Sequence, residues 1–149
     1  MYTVVLALNE DENLAREMVD RVAAIPDATD SVRVIVTHVF KDIEAPPSAA
    51  VQEPPRREPP EEVVEQEVQP RTVEQVTEML AERGIEYDVR IERGNPADDI
   101  IAIAEETDAE AIYMGGSKRS PAGKVVFGST TQSVIFSTDR PVTVFGSPD

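Results

Sequence analysis

The chain has 149 residues, enough for one domain with its own core, and it carries 29 acidic against 14 basic side chains. The resulting net charge of −15 disfavours general binding to nucleic acids or to anionic membranes. With no cysteine and one histidine, disulfides, thiolate catalysis and Cys- or His-rich metal sites are excluded. No apolar run approaches the roughly 20 residues that span a bilayer and the first residues lack a basic segment, so we expect a cytoplasmic protein.

The first forty residues predict a strand, a helix and a second strand. Residues 2–8 form a continuous apolar run, too short for a buried helix, which predicts a central strand covered on both faces. Capping side chains at residues 9–13, followed by apolar side chains at helical spacing over residues 14–22, predict a helix. Residues 32–40 are a second β-branched run. The succession predicts a right-handed parallel crossover.

Residues 43–70 differ in composition from the rest of the chain. Seven of the twelve prolines lie here among Glu, Gln and Arg, with almost no large apolar side chains. This composition predicts an exposed, partly extended excursion within a single domain. It is either a disordered insertion or a regulatory or partner-binding segment.

The second half of the chain repeats the alternation of strands and helices. One predicted helix has an apolar stripe and ends at Gly84, and the strand after it alternates apolar and polar residues, which is typical of a sheet edge. The predicted elements are a helix at residues 72–83, a strand at 85–92, a helix from Pro96, a strand at 111–114, a helix at about 129–137 and a strand at 141–145. Five strands and four helices predict an α/β doubly wound parallel sheet, with a ligand site at the carboxyl ends of strands one and four.

Two observations indicate an anion site between the fourth strand and the last helix. Gly115 and Gly116 permit close backbone approach, and the helix start at residues 128–130 offers free N–H groups and two hydroxyls. Residues 111–138 contain no acid in a chain that has 29, although burial of a helix and a strand would explain part of this depletion. The same stretch holds three basic residues, Lys118, Arg119 and Lys124. We therefore predict a local cationic site in an anionic protein.

The glycine-bearing loop lacks the two commonest nucleotide-binding signatures. The Gly123-Lys124 pair has Lys118 where a Walker P-loop needs its first glycine, and Val125 where it needs Ser or Thr. The Gly-x-Gly-x-x-Gly pattern of dinucleotide-binding domains is also missing.

The loop instead resembles the signature of universal stress proteins, which is Gly, two residues, Gly, nine residues, Gly and Ser or Thr. Gly115, Gly128 and Ser129 match this spacing, whereas Lys118 occupies the second glycine position. Four further segments resemble the family in the same order, namely residues 2–9, 37–39, 94–97 and 140–144. The resemblance implies one universal stress protein domain over residues 1–149, with an adenine nucleotide alpha hydrolase-like sheet in the order 3-2-1-4-5.

The resemblance also implies an adenine nucleotide, ATP or AMP, with or without Mg²⁺. Transferred to this sequence, the first-strand end would line the base and ribose, Val39 would contact adenine, and the loop would hold the phosphates. The implied nucleotide-binding residues are Ala7, Leu8, Asn9, Val39, Met114, Gly115, Ser117, Lys118, Gly128, Ser129 and Thr130. Asn9 stands where the family has Asp. This difference keeps a hydrogen-bond acceptor and loses the negative charge. Lys118 either costs about 1 kcal/mol of backbone strain or neutralises phosphate charge directly.

Members of the family commonly dimerise through the last strand. Here Val142, Thr143, Val144 and Phe145 form an apolar edge strand that invites pairing with a second copy, so we expect a homodimer. Three functions stay open: a dimeric ATP-binding regulatory protein of the stress response, a nucleotide-free dimeric interaction protein, and a slow ATPase. The ATPase is the weakest of the three because the loop shows no general base or metal carboxylate.

Two polar positions near the predicted site receive structural interpretations. His38 lacks a second histidine or a cysteine and is interpreted as a packed, hydrogen-bonded residue without chemistry. Residues 9–11 are interpreted first as a helix cap and second as ligand contacts. Eleven Arg against three Lys, with the surplus of acids, resembles proteins of salt-loving archaea, and an acidic mesophilic protein is the alternative.

Overall fold

The computed structural model describes residues 1–41, 70–119 and 125–146. The strands in these ranges are β1 (Tyr2–Ala7), β2 (Val32–Lys41), β3 (Glu86–Gly94), β4 (Ala111–Arg119), β5 (Val125–Phe127) and β6 (Val142–Gly146). The helices are α1 (Glu12–Ala23), α2 (Ala28–Ser31), α3 (Arg71–Glu82), α4 (Pro96–Glu106) and α5 (Ser129–Ser137). The excursion predicted at residues 43–70 lies outside the described residues except for its last residue. No helix in the described ranges is long and apolar enough to cross a membrane.

The sheet has the predicted parallel arrangement. Its order is β3-β2-β1-β4, and β6 lies beside β4 in parallel, so the five predicted strands appear in the predicted sequence across the sheet. This confirms the doubly wound α/β fold. β1 is central because it pairs with β2 on one side and with β4 on the other.

The predicted end of the fourth strand at Met114 is too early. β4 continues to Arg119 and turns back as β5, a short antiparallel strand in which Phe127 lies opposite Ser117. Sequence reasoning missed β5 because it has three residues and follows a stretch rich in glycine and proline, which favours a loop.

Burial on both faces explains the apolar run of β1. Val4 and Leu6 belong to a core cluster beneath α1 and α3, whereas Val5 and Ala7 belong to a second cluster beneath α4 and α5. Alternate side chains of one strand therefore fill two cores, and the strand is held in register by both.

Local capping starts and stops the helices next to the sheet. Asp11 accepts hydrogen bonds from the main-chain N–H groups of Asn13 and Leu14 and begins α1. Asn95 accepts from the N–H of Asp98 and begins α4, with Pro96 at its first position. Gly84, with φ of +70°, follows the C-terminal cap of α3 in the left-handed region. α1 and α4 thus begin within a few residues of the ends of β1 and β3, at the carboxyl edge of the sheet.

Candidate functional site

A cleft of about 390 Å³ opens at the carboxyl edge of the sheet. It lies at the carboxyl ends of the parallel ladders that β1 forms with β2 and β4, and where α4 and α5 begin, as expected for the reversal of strand order in a doubly wound sheet. Its lining residues are Ala7, Leu8, Asn9, Thr37, His38, Val39, Pro96, Ile100, Met114, Gly115, Gly116, Gly128, Ser129, Thr130 and Thr131.

Nine of the eleven residues implied by the resemblance lie in this lining. They are Ala7, Leu8, Asn9, Val39, Met114, Gly115, Gly128, Ser129 and Thr130. The other two, Ser117 and Lys118, lie on β4 opposite Phe127 and Val126 of β5, and their side chains fall outside the described part of the structure. Residues 120–124, including the predicted cation Lys124, are likewise outside it.

The β1–α1 turn, defined as residues 8–11, forms one wall of the cleft. The N–H of Leu8 donates to the carbonyl of Thr37 at 2.8 Å, which prolongs the β1–β2 ladder by one bond. The carbonyl of Leu8 lies 3.0 Å from Nδ1 of His38. A carbonyl can only accept, so this contact places the proton of His38 on Nδ1. His38 is half-buried and its ring meets that of Phe40 edge-on at 4.6 Å, in accord with the packed, hydrogen-bonded interpretation.

Asn9 is held from both sides of the same turn. Its Oδ1 accepts from the N–H of Asp11 at 2.8 Å, and its main-chain carbonyl accepts from the hydroxyl of Thr72 at 2.7 Å. Thr72 is buried at the start of α3, so the helix that follows the proline-rich excursion is tied directly to the lip of the cleft. No local sequence signal marks this bond, because 63 residues separate its partners.

The opposite wall is the glycine junction, defined as Gly115, Gly116 and Gly128 with Thr131. Gly116 has φ of +119°, and a β-carbon there would overlap Oγ1 of Thr131. That hydroxyl donates to the carbonyl of Gly115 at 3.0 Å, and the N–H of Gly128 donates to the carbonyl of Gly116 at 2.9 Å. The glycines therefore let the start of α5 lie directly against the middle of β4. Gly116 and Thr131 are site residues missing from the implied set.

The start of α5 has the properties of an anion site. Gly128 is its N-cap and supplies no capping side chain, and the first turn contains no acid. The N–H groups of Ser129 and Thr130 lack carbonyl partners from a preceding helical turn, and the positive end of the helix dipole lies beside them. Ser129 is exposed and Thr130 is half-exposed, so their hydroxyls are accessible from the cleft.

The cleft combines an apolar end with this polar end. Val39, Ile100 and Met114 supply apolar surface near β2, β4 and α4, and the lining contains no Asp, Glu, Lys or Arg among the described residues. Within the same described ranges, no group of three or more His, Asp or Glu is placed to hold a metal ion. The arrangement suits a ligand with an apolar part at one end and an anionic group at the other.

The chain matches the family model of the universal stress protein family over residues 1–146. It therefore belongs to the universal stress protein family. Two curated stress proteins, from Methanocaldococcus jannaschii and Bacillus subtilis, are 29% and 32% identical to it over 51% and 50% of this chain. These matches cover 45% and 46% of those two proteins, so the chain spans less than half the length of the curated relatives.

Solved structures share the fold over nearly the whole chain. A universal stress protein from Archaeoglobus fulgidus is 25% identical with a TM-score of 0.63, covering 97% of this chain and 98% of its own. An A. fulgidus universal stress protein in complex with dAMP is 21% identical with a TM-score of 0.56, covering 97% of each chain. An Arabidopsis thaliana family protein with AMP bound is 14% identical with a TM-score of 0.65, covering 99% of this chain and 93% of its own.

Proposed function

We propose that the cleft binds an adenine nucleotide, AMP or ATP, and that the protein acts in the stress response as a dimeric nucleotide-binding regulator. The observation that carries the proposal is the convergence of nine implied residues, from four separate segments of the chain, on one cleft. Its volume of about 390 Å³ falls within the range of small-molecule sites. Structures of family relatives with dAMP and with AMP support the same ligand class.

The two ends of the cleft support a separate position for the base and for the phosphate of the proposed nucleotide. Val39, Ile100 and Met114 offer apolar surface for the base, and the first turn of α5 offers N–H groups and hydroxyls for phosphate. Binding would then depend on backbone donors and the helix dipole, which need no metal. Mg²⁺ would accompany ATP through the phosphates, and hydrolysis is not part of the proposal.

Calorimetric titration with AMP, ATP and GMP in high salt tests the proposal. Saturable binding of AMP or ATP, with GMP at least tenfold weaker, is the expected result, and the absence of binding by both adenine nucleotides would overturn it. Gly128→Asp should abolish binding because it places a negative charge at the phosphate position. Gly128→Asn is the matched control, since a β-carbon at Gly128 meets only the Gly116 carbonyl, at 3.7 Å.

Lys118 tests the cationic part of the proposal. If the Lys118 ammonium neutralises phosphate charge, Lys118→Glu should weaken the binding of ATP more than the binding of adenosine. Lys118→Gly restores the glycine of the family spacing and removes the charge. Equal affinity of Lys118→Glu and the unchanged protein for ATP would remove Lys118 from the site.

The dimer part of the proposal rests on β6. This strand pairs with β4 along one side, and no described strand pairs with its other side. Val142 and Val144 are half-buried there, and Thr143 is exposed. Val144→Glu should convert the dimer to a monomer, which sedimentation would report as a halved mass. Val89→Glu places the same charge on β3, at the opposite edge of the sheet, and should leave the mass unchanged; an unchanged mass in Val144→Glu contradicts pairing through β6.

A further inference from the structure

The outer face of α5 differs from the outer faces of the other long helices. α1, α3 and α4 each expose several carboxylates, for example those of Glu17, Glu78 and Glu105. α5 exposes five residues, and none of them is charged. They are Ser129, Gln132, Ser133, Phe136 and Ser137. The chain has a net charge of −15, so this helix surface is an uncharged area on an acidic protein.

The candidate anion site explains only the beginning of this uncharged face. An anion at the start of α5 interacts with the free N–H groups and the helix dipole of the first turn, so a carboxylate is unfavourable there. Phe136 follows Ser129 by seven residues, which is about 10 Å along the helix at 1.5 Å per residue. The dipole effect does not reach that far. The second half of the face therefore lacks charge for a reason other than the anion site.

Two exposed aromatic side chains belong to this surface. Phe136 is 80% exposed, the largest fraction among the large apolar side chains of the described ranges, and Phe127 is 38% exposed. Gln132 connects them, because its Nε2 donates to the carbonyl of Phe127 at 2.9 Å and Phe136 follows it by one helical turn. Thr131 and Val134 are the buried residues of α5, so Phe136 points away from the core.

We propose that the outer face of α5, defined as Gln132, Ser133, Phe136 and Ser137 together with Phe127, binds the same face of a second copy of this chain. Exposed aromatic side chains and a depletion of charged ones are typical of the centre of a protein interface. The occupant follows from charge: a second copy is equally acidic, and it meets least repulsion where neither surface presents a carboxylate. A basic partner would be attracted to the acidic faces of α1, α3 and α4 instead.

This contact is separate from nucleotide binding and from pairing through β6. Pairing through β6 uses an edge of the sheet, whereas the outer face of α5 points away from the sheet. A nine-residue helix offers less than the roughly 800 Å² per partner of a standard interface, so we expect reversible association at high protein concentration. High salt favours this association, because the Debye length falls from about 10 Å at 0.1 M to about 3 Å at 1 M.

Sedimentation equilibrium of the full chain tests the proposal, in high salt and over a series of protein concentrations. The Val144→Glu chain is used, so that pairing through β6 does not contribute. Its average mass should rise with concentration, and adding Phe136→Glu should lower the association constant about tenfold or more, because carboxylates then replace an aromatic contact. Val89→Glu is the matched control, since Val89 is 37% exposed and lies on β3. It should change the constant less than about twofold.

A single introduced cysteine locates the contact, because the chain has no cysteine of its own. Ser133 lies in the middle of the face and is exposed. Oxidation of Ser133→Cys with diamide should therefore give a disulfide-linked dimer, since the two thiols approach each other across the contact. Glu78→Cys places an exposed thiol on the outer face of α3 and should cross-link about tenfold more slowly.

Four results would overturn the proposal. A mass that stays constant with concentration would leave the face to a partner other than a second copy. An unchanged association constant in Phe136→Glu would remove Phe136 from the contact. Association that is present in the unchanged chain and absent from Val144→Glu would assign Phe136 to pairing through β6. Equal cross-linking rates in Ser133→Cys and Glu78→Cys would indicate random collision. Failure of AMP and ATP to bind would remove the proposed nucleotide function and leave this surface standing.

Discussion

The two walls of the cleft are held by opposite means. The β1–α1 turn is fixed by side-chain hydrogen bonds from distant elements, with His38 contacting the Leu8 carbonyl and Thr72 donating to that of Asn9. The glycine junction is fixed by the lack of side chains, which allows Thr131 to sit against Gly116. A wall built from hydrogen bonds loses about 1 kcal/mol when one partner is removed, whereas a wall built from close backbone contact rejects even one added carbon atom.

Gly116→Ala should produce the largest change. The added β-carbon overlaps Oγ1 of Thr131, and φ of +119° is unfavourable for any residue with a side chain. We expect the free energy of unfolding to fall by about 3 kcal/mol, measured by denaturant titration. Gly128→Ala, with its nearest neighbour at 3.7 Å and ordinary φ, should change it by less than about 1 kcal/mol. Equal losses in the two variants would contradict the distinction.

Thr131→Val removes a hydroxyl from the glycine junction while nearly keeping its volume. The Gly115 carbonyl loses its donor at a buried position, so unfolding free energy should fall by about 1.5 kcal/mol. Thr131→Ser keeps the hydroxyl and should recover the part of the loss that belongs to the hydrogen bond. An unchanged unfolding free energy in Thr131→Val would contradict this contribution of the hydroxyl, because valine keeps the methyl group.

Thr72→Val tests the β1–α1 turn. Removing the hydroxyl that donates to Asn9 should cost about 1 kcal/mol and speed hydrogen exchange of the amides at residues 9–11. Thr77→Val is the matched control substitution on α3, because the Thr77 hydroxyl donates within its own helix, to the Glu74 carbonyl. Its effect on exchange in the turn should be negligible, and faster exchange in both variants would indicate loosening of α3 as a whole.

Tyr113 should produce the smallest change, and only at high pH. Burial raises the pKa of its phenol above the ordinary value of 10.0, with a further contribution from Tyr2. The folded state therefore holds this proton more tightly than the unfolded state. The associated stability is present below about pH 10 and is lost as the pH rises through the folded pKa. Tyr113→Phe should flatten the decline in unfolding free energy above pH 10, and an unchanged slope would refute this assignment.

Much of the fold could be predicted because its signals are local. The apolar run of β1, the alternation of β3, the Asn95-Pro96 helix start and Gly84 each act through short-range geometry or burial on a strand face. β5 could not be predicted, since three residues carry no periodicity and its pairing depends on where β4 ends. The excursion at residues 43–70 and the side chains of Ser117 and Lys118 stay predictions.

The residues of the candidate site divide in the same way, into those that local signals predict and those that depend on contacts between distant elements. The spacing of Gly115, Gly128 and Ser129 predicts the phosphate end of the proposed site, because backbone approach to an anion favours those residue types. Gly116 and Thr131 were not in the implied set, since their contact follows from how α5 lies on β4. For Asn9, sequence reasoning expected an acceptor available to a ribose or to a backbone donor, and in the structure a backbone donor takes it.

The sequence by itself therefore predicted the parallel sheet and the edge at which the cleft opens, because periodic burial and turn chemistry are encoded in neighbouring residues. Its loop spacing carried the resemblance to the family. Only the tertiary structure decided which polar groups reach the cleft. Hydrogen bonds such as that between Thr72 and Asn9 join residues far apart in the chain, and each one occupies an acceptor that the sequence alone shows as available.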